Sequence, residues 1–361
     1  MNRTVRRATL PAAALALALG LSACSAANEA SGDTDTESNL TGTLNGAGAS
    51  SQEAAVGAWK QGFQTANPDV TINYDPVGSG GGREQFIAGG VAFAGTDSAF
   101  DEEETAAAAQ KCGSDLVEVP TYVSPIAVVY NLDGVTDLQL SPQTLGAIFQ
   151  GTVKTWDDPA IKADNPDATL PSTKITPVHR SDDSGTTKNF TDYLDQASEG
   201  GWKGGVVESW PVKGGEAAEG TSGVVQAVGN GTGTIGYADA SQAGDLGTAK
   251  VKVGEEFVAP TAEAAAAILD ASERAETGAD SQLVFTLNRT TTEAGVYPIV
   301  LVSYMATCAK HEDAEQGALA KGWFEYVTGK DGQQAAAESA GSAPLSDAVS
   351  KQVAEIVSSI S

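Results

Sequence analysis

Histidine and cysteine are nearly missing from this chain: 361 residues hold two histidines, His179 and His311, and three cysteines. A zinc site built from imidazoles is therefore not expected, and no CxxC or Cys/His cluster offers a thiolate alternative. No GxSxG occurs, and a serine triad needs a histidine oriented by a further acid, so serine hydrolysis is disfavoured although His179 lies near Ser184. Basic residues are few, 21 against 47 acidic ones, for a net charge of −26. A field of that sign repels nucleic acid and presents no basic face to anionic lipid. It also repels an anionic ligand at long range, an effect that salt screens beyond about 10 Å, so any anion site must rely on local donors. The apolar run from Ala8 to Leu21 is too short to span a membrane as a mature helix.

That run follows Arg3, Arg6 and Arg7 and ends in Leu21-Ser22-Ala23-Cys24, the order of an export signal (1–23) closed by a sequence that resembles a bacterial lipobox. Acylation of Cys24 would hold the protein at a membrane through its lipid alone, with residues 24–39, small, polar and acidic, as a flexible tether. The remaining cysteines, Cys112 and Cys308, make an even pair, which in an exported protein favours a disulfide over two buried thiols.

What is present is organised around His179 to Leu194, HRSDDSGTTKNFTDYL. Phe190, Tyr193, Leu194 and Ala197 recur at helical spacing, so a helix starts near Ser184 to Thr187. Its first turn has N–H groups without carbonyl partners, at the positive end of the helix dipole and beside small hydroxyls. Arg180 adds a forked donor that matches a tetrahedral oxyanion, and Asp182 is spaced to orient it. The combination points to an anion receptor.

Two similar turns precede it. Leu40 to Asn45 reads as a strand entering Gly46-Ala47-Gly48-Ala49-Ser50-Ser51, with a helix beyond that shows Val56, Trp59 and Phe63 on one face and a capping-box pattern from Ser50 to Glu53. Val70 to Tyr74 is a second strand, after which Gly78-Ser79-Gly80-Gly81-Gly82 opens a helix and lets the backbone approach a ligand closely. Val91 to Gly95 reads as a buried strand with Thr96 and Asp97 at its end. Further on, Leu116 to Tyr130 reads as two strand-like pieces separated at Tyr122 to Pro125, and Ser141-Pro142 starts a helix. Trp156 to Pro171 reads as a loop, Val224 to Val228 as a helix, Thr234 to Ala238 as a strand, and the chain from Ala318 as helices. Alternation of this kind predicts α/β layers. The GxGxxG at Gly231, Gly233 and Gly236 lies between a helix and a strand, the reverse of a dinucleotide-binding turn, and Asp33, Asp35 and Glu37 lack the rest of a calcium loop.

Taken in order, GAGASS (46–51), GSGGG (78–82), VAFAGTD (91–97), TWDDPAI (155–161), HRSDDSGTT (179–187), GTIGYADA (233–240) and APLSDAV (343–349) resemble the substrate-binding lipoproteins of bacterial high-affinity phosphate ABC importers. The resemblance covers the chain beyond the tether. It implies a type II periplasmic-binding-protein-like α/β fold. Domain I would be 40–121 plus 299–361 and domain II an insertion, 125–295, with a hinge near 122–124 and 296–298. It further implies inorganic phosphate held by Ser50, the backbone at Ser51, Ser79, Arg180, Ser184, the backbone at Gly185, and Thr186, with Asp97 as acceptor. Ser51 departs from the bulky apolar residue frequent in relatives. No cofactor, metal or catalysis is implied. The expected partners are an importer's permease and ATPase, and the expected state is a monomer on the outer face of a cell membrane, of Gram-positive type by its acidity and tether. The alternatives are a receptor for another oxyanion or small phosphorylated metabolite, or an exported phosphatase or serine hydrolase.

Overall fold

Each short strand of the first hundred residues runs into a helix within a few residues, and that rhythm sets the architecture. The computed structural model describes residues 40–270 and 272–361; the export signal, Cys24 and the tether lie outside them. Strands β1 (Gly42–Gly48), β2 (Val70–Asp75) and β3 (Phe93–Thr96) pair in parallel, with helices α1 (Glu53–Ala66), α2 (Ser79–Ile87) and α3 (Glu102–Cys112) between and after them. Strand β4 (Leu116–Asn131) leads to α4 (Pro142–Phe149), α5 (Pro159–Asp164), β5 (Thr176–Arg180), α6 (Gly185–Ala197), β6 (Glu216–Ala218), α7 (Gly220–Asn230), β7 (Thr234–Asp239) and β8 (Gly247–Thr248). After α8 (Ala262–Asp270), the long β9 (Val300–Cys308) and helices α9 (Ala314–Thr328), α10 (Lys330–Ala340) and α11 (Asp347–Ser358) complete the chain.

The nine strands form one path, β2-β1-β3-β9-β4-β7-β5-β6, with β8 added beside β4. The expected break in Leu116–Tyr130 is not there: β4 is a single strand whose side chains are buried from Leu116 to Tyr130. Pro125 does not interrupt it because the strand changes neighbour at that point, from β9 (Val300 opposite Pro125) to β7 (Asp239 opposite Ile126). Two lobes result, one on each half of β4. The expected loop at Trp156–Pro171 also contains a helix, α5, started by Pro159 at its first position and capped by the Asp158 carboxylate.

The first lobe packs Trp59 of α1 and Trp323 of α9, both fully buried, against the sheet; Phe63 and Phe93 lie edge-on or tilted to Trp323. A disulfide joins Cys112 at the end of α3 to Cys308 at the end of β9. The second lobe is built on Phe149, Phe190, Trp210 and Tyr237, with Phe190 and Tyr237 stacked at 4.4 Å. Residues 281–283 lie along the first half of β4: the N–H of Glu118 donates to the carbonyl of Ser281 and that of Leu283 to the carbonyl of Glu118.

Candidate functional site

Strand ends bring the site together. β1 ends at Gly48 and a single 3-10 turn, Ser50–Gln52, precedes α1. The capping box expected from Ser50 to Glu53 does not form. Ser50 Oγ instead meets Thr221 of the opposite lobe, 3.1 Å from its Oγ1 and accepting from its N–H at 3.0 Å. Gly78, with φ of 91°, turns the chain into α2 and puts Ser79 at its first position; a Cβ on Gly78 would lie 2.5 Å from Asp182 Oδ2. Ser79 Oγ accepts the N–H of Asp97 at 3.1 Å.

Arg180 ends β5 and Ser184 caps α6, its hydroxyl accepting the N–H of Thr187 at 3.1 Å. The N–H groups of Gly185 and Thr186, in the first turn of α6, have no intrahelical carbonyl to meet. Tyr237 fixes this turn from beneath, its hydroxyl 2.8 Å from Thr187 Oγ1 and accepting the N–H of Arg180 at 3.3 Å. Asp182 takes the Nε and Nη2 edge of Arg180, with Nε 2.7 Å from Oδ1, and also accepts the N–H of Gly220 at 3.1 Å. Burial raises the Asp182 carboxyl, but the bond and charge of Arg180 and the Gly220 N–H outweigh it and hold it below the usual range.

Asp97 stands at the centre. Its Oδ1 accepts from Ser303 at 2.6 Å, and its Oδ2 from Ser51 at 2.5 Å and Thr186 at 3.3 Å. Its carbonyl accepts from Asn189 of α6 at 2.7 Å. Burial pushes its carboxyl up; the bonds from Ser303 and Ser51, the positive charge of Arg180 and the bond from Thr186 pull the other way without cancelling it. Ser50, Ser51, Ser79, Asp97, Arg180, Ser184 and Thr186 each expose no more than 3 % of their surface. Ser50, Ser51, Ser79 and Asp97 come from the first lobe, and Arg180, Asp182, Ser184, Gly185 and Thr186 from the second. The residues expected to hold the anion therefore gather in one place where the two lobes meet.

The side chain of Ser51 is not idle, as a backbone-only role would have left it; it is bonded to Asp97. Ser303, Thr221 and Asn189 escaped the sequence reading. Ser303 was visible as a polar residue inside the buried run of β9, and Thr221 as the hydroxyl of a further glycine-rich helix start, GTSG. Asn189 carried no signal, because its position is an ordinary turn of α6. His179, the only candidate base nearby in sequence, stacks its ring on Trp210 at 5.1 Å and has Nδ1 2.9 Å from the carbonyl of Arg180. Among the described residues no group of three or more His, Cys, Asp or Glu could hold a metal ion.

A family model described as a PBP superfamily domain matches residues 33–331. The chain is 35% identical over 291 residues to "Phosphate-binding protein PstS 3" of Mycobacterium leprae, covering 80% of this chain and 79% of that one. It is 33% identical over 324 residues to "Phosphate-binding protein PstS 2" of Mycobacterium tuberculosis, covering 88% and 87%. In structure it superposes on a high-affinity periplasmic phosphate-binding protein, PfluDING, solved with phosphate, with a TM-score of 0.72 at 24% identity over 86% of this chain and 93% of that one. A phosphate-binding protein from Stenotrophomonas maltophilia superposes with a TM-score of 0.67 at 20% identity, over 87% and 93%. At those identities the structural likeness speaks for the fold.

Proposed function

The chain belongs to the PBP superfamily, among its PstS-type phosphate-binding proteins, and from that premise we propose that it is an extracytoplasmic receptor that encloses inorganic phosphate and hands it to an ABC importer. The observation that carries this reading is a buried carboxylate facing a buried guanidinium inside a ring of hydroxyl and amide donors supplied by both lobes. Asp97 and Arg180 are the pair; Ser50, Ser51, Ser79, Ser184, Gly185 and Thr186 are the ring.

Hydrogen phosphate both accepts and donates. Arg180, whose Nε and Nη2 edge Asp182 already holds, offers its Nη1 hydrogens, and the first turn of α6 offers N–H groups and the positive end of its dipole. Charge-assisted bonds contribute about 1.5–3 kcal/mol each, and micromolar affinity corresponds to roughly 8 kcal/mol, so a handful is enough after desolvation and closure are counted. Asp97 receives the proton that phosphate retains. Sulfate has none to give at neutral pH and would bring a negative oxygen against a buried carboxylate, so Asp97 selects by repelling the wrong ion.

The protein performs no chemistry in this reading: the ring of His179 stacks on Trp210, and Asp97, to which the Ser51 and Ser303 hydroxyls donate, serves as acceptor for the ligand's proton. We assign the hinge to 122–124 and 296–298. The change of β4's partner beside that segment supports the assignment, as does the bond from the N–H of Ile126 to the carbonyl of Ile299 at 2.7 Å. Lobe boundaries at 40–121 with 299–361 and at 125–295 go with it, save that residues 281–283 pair with the first-lobe half of β4. None of the described helices is long and apolar enough to cross a membrane, and acylation at Cys24 would supply the anchor. A monomer held this way on the outer face would meet the permease of its importer and, through it, the ATPase on the other side of the membrane.

Titration calorimetry on the chain from residue 25, stripped of anion, tests the reading with phosphate and then sulfate. One-to-one phosphate binding with sulfate silent is expected, and Asp97→Asn should narrow the preference by at least about tenfold. Sulfate bound as tightly as phosphate by the unaltered chain would overturn the role of Asp97, and no heat from either ion would overturn the receptor.

A further inference from the structure

The site residues are too buried for an ion to enter or leave as they stand, so ligand exchange requires the lobes to part and cross-lobe contacts to break. Several such contacts belong to the site itself. One set does not. Arg83 lies on α2 in the first lobe, 4 % exposed, and its Nη2 is 3.0 Å and 2.9 Å from the two carboxylate oxygens of Glu208, on the second-lobe segment between α6 and β6. Ser98, the residue after Asp97, donates to the same carboxylate.

We propose that Arg83 and Glu208 form a bolt across the closed cleft that sets how long a bound anion is held, without touching the anion. The proposal rests on the phosphate-receptor reading.

The arrangement is that of a reversible contact. Arg83 keeps partners in its own lobe: Nε is 3.0 Å from both oxygens of Glu104, and Nη1 donates to Thr96 Oγ1 and Ser98 Oγ at 3.0 Å and to the Ser98 carbonyl at 3.4 Å. Glu208 keeps Lys188 of its own lobe, with Nζ 3.7 Å from Oε1. Neither charge is stranded when the lobes separate, so opening costs the bolt and no further uncompensated burial. The pair is desolvated when closed, the Glu208 side chain being 16% exposed and that of Arg83 5%, which is where an ion pair gains strength. It is also linked to the ligand site at both ends. Arg83 holds Thr96 and Ser98, the neighbours of Asp97, and the carbonyl of Glu208 accepts the N–H of Ser184, the cap of α6, at 3.3 Å. The contacts that carry phosphate and the contacts that bolt the lobes therefore form together. A buried pair of this kind acts on the rate of leaving and little on the rate of arrival.

Glu104 supplies the control, because it binds the same guanidinium from the same lobe and should matter equally whether the cleft is open or closed. The experiment loads the chain from residue 25 with radiolabelled phosphate and follows its loss on adding excess unlabelled phosphate, alongside association rates and ligand-free melting temperatures. Glu208→Gln should speed release by at least about tenfold, with association within about twofold of the unaltered protein and the ligand-free melting temperature unchanged. Glu208→Asp, a milder change, should move release the same way. Glu104→Gln should lower the ligand-free melting temperature and leave release within about twofold. Release unchanged in both Glu208 variants, or accelerated as much by Glu104→Gln, would overturn the bolt while leaving the receptor reading intact. An unaltered protein that retains no label would overturn the receptor reading, and the bolt with it.

Discussion

Gly185 has room for a hydrogen and nothing larger. A Cβ there would lie 2.5 Å from Ser79 Oγ and 2.9 Å from Asp97 Cβ, atoms of the opposite lobe. Alanine in the first turn of α6 suits the helix itself, by roughly 0.5–1 kcal/mol over glycine. Gly185→Ala is therefore expected to leave ligand-free melting unchanged or slightly raised while weakening phosphate by at least about tenfold, since only the closed form meets the clash; calorimetry beside a melting curve separates the two. A second buried carboxylate, Asp239, lies opposite Ile126 in the β4–β7 pairing, where β4 has just changed partner. Ser241 donates to its Oδ1 through both N–H and hydroxyl, whereas Oδ2 has only the neighbouring Ser124 hydroxyl near it, outside good hydrogen-bond geometry. Burial pushes its carboxyl up to about 6 against the pull of the Ser241 and Ser124 hydroxyls and the Ser241 N–H. Because the folded value is raised, the stability it contributes is present at low pH and is lost as pH rises through about 6. Asp239→Asn keeps an acceptor for Ser241 and cannot ionise, so it should gain up to about 3 kcal/mol over the unaltered chain at pH ~8, with the gap narrowing toward pH ~5 in ligand-free melting curves. A gap constant with pH would mean that the charge is not the cause.

At the level of elements, the site is assembled from helix beginnings. α2 and α6 open on it directly, α1 does so through the Ser50–Gln52 turn, and α7 brings Gly220 to Asp182 and Thr221 to Ser50. Each is fed by a strand whose end lies at the seam, so the sheet fixes the spacing of the donors more firmly than loops could. Behind them α3 is tied to β9 by the disulfide, which spans 196 residues of chain. That staple holds the outer side of the first lobe, where Cys308, Leu116, Ala306, Phe86 and Phe100 pack together. Replacing both cysteines by serine should cost about 2–5 kcal/mol, mainly through the freedom regained by the unfolded chain, and leave phosphate affinity within about twofold. Denaturant unfolding and calorimetry read the two effects independently, and a large loss of affinity would show that the staple shapes the site.

The whole molecule works against its own ligand at a distance. The net charge, −26 for the full chain and −29 without Arg3, Arg6 and Arg7 of the export signal, repels phosphate until it is close, where the local donors of the cleft take over. Screening shortens the reach of that repulsion from about 30 Å at ~0.01 M salt to about 8 Å at ~0.15 M. Association of phosphate should accordingly quicken as salt rises across this range, while release, governed by buried contacts, should hardly change. Stopped-flow rates would show it, and an association rate that fell with salt would mean that the cleft's positive end reaches farther into solvent than the acidic surface does.

Much of this was legible in the chain itself. Strand, glycine or hydroxyl, then amphipathic helix is a local pattern, written in neighbouring residues, and it marked Ser50, Ser79, Ser184 and Thr186 as candidates before any of them had a place in space. Arg180 and Asp182 were readable together because they are two residues apart. The scarcity of histidine and the acidity set the class of chemistry for the same reason, being properties of composition. What depends on approach between distant segments could not be read. The 3-10 turn that takes Ser50 from its own helix cap to Thr221, the unbroken β4 with its change of partner at Pro125, and the convergence of Ser51, Thr186 and Ser303 on one carboxylate are products of closure and packing. So is the meeting of Arg83 with Glu208, which 125 residues of chain separate. Local propensity names which groups are able to bind; the free energy of bringing two lobes together decides which of them do so at the same point.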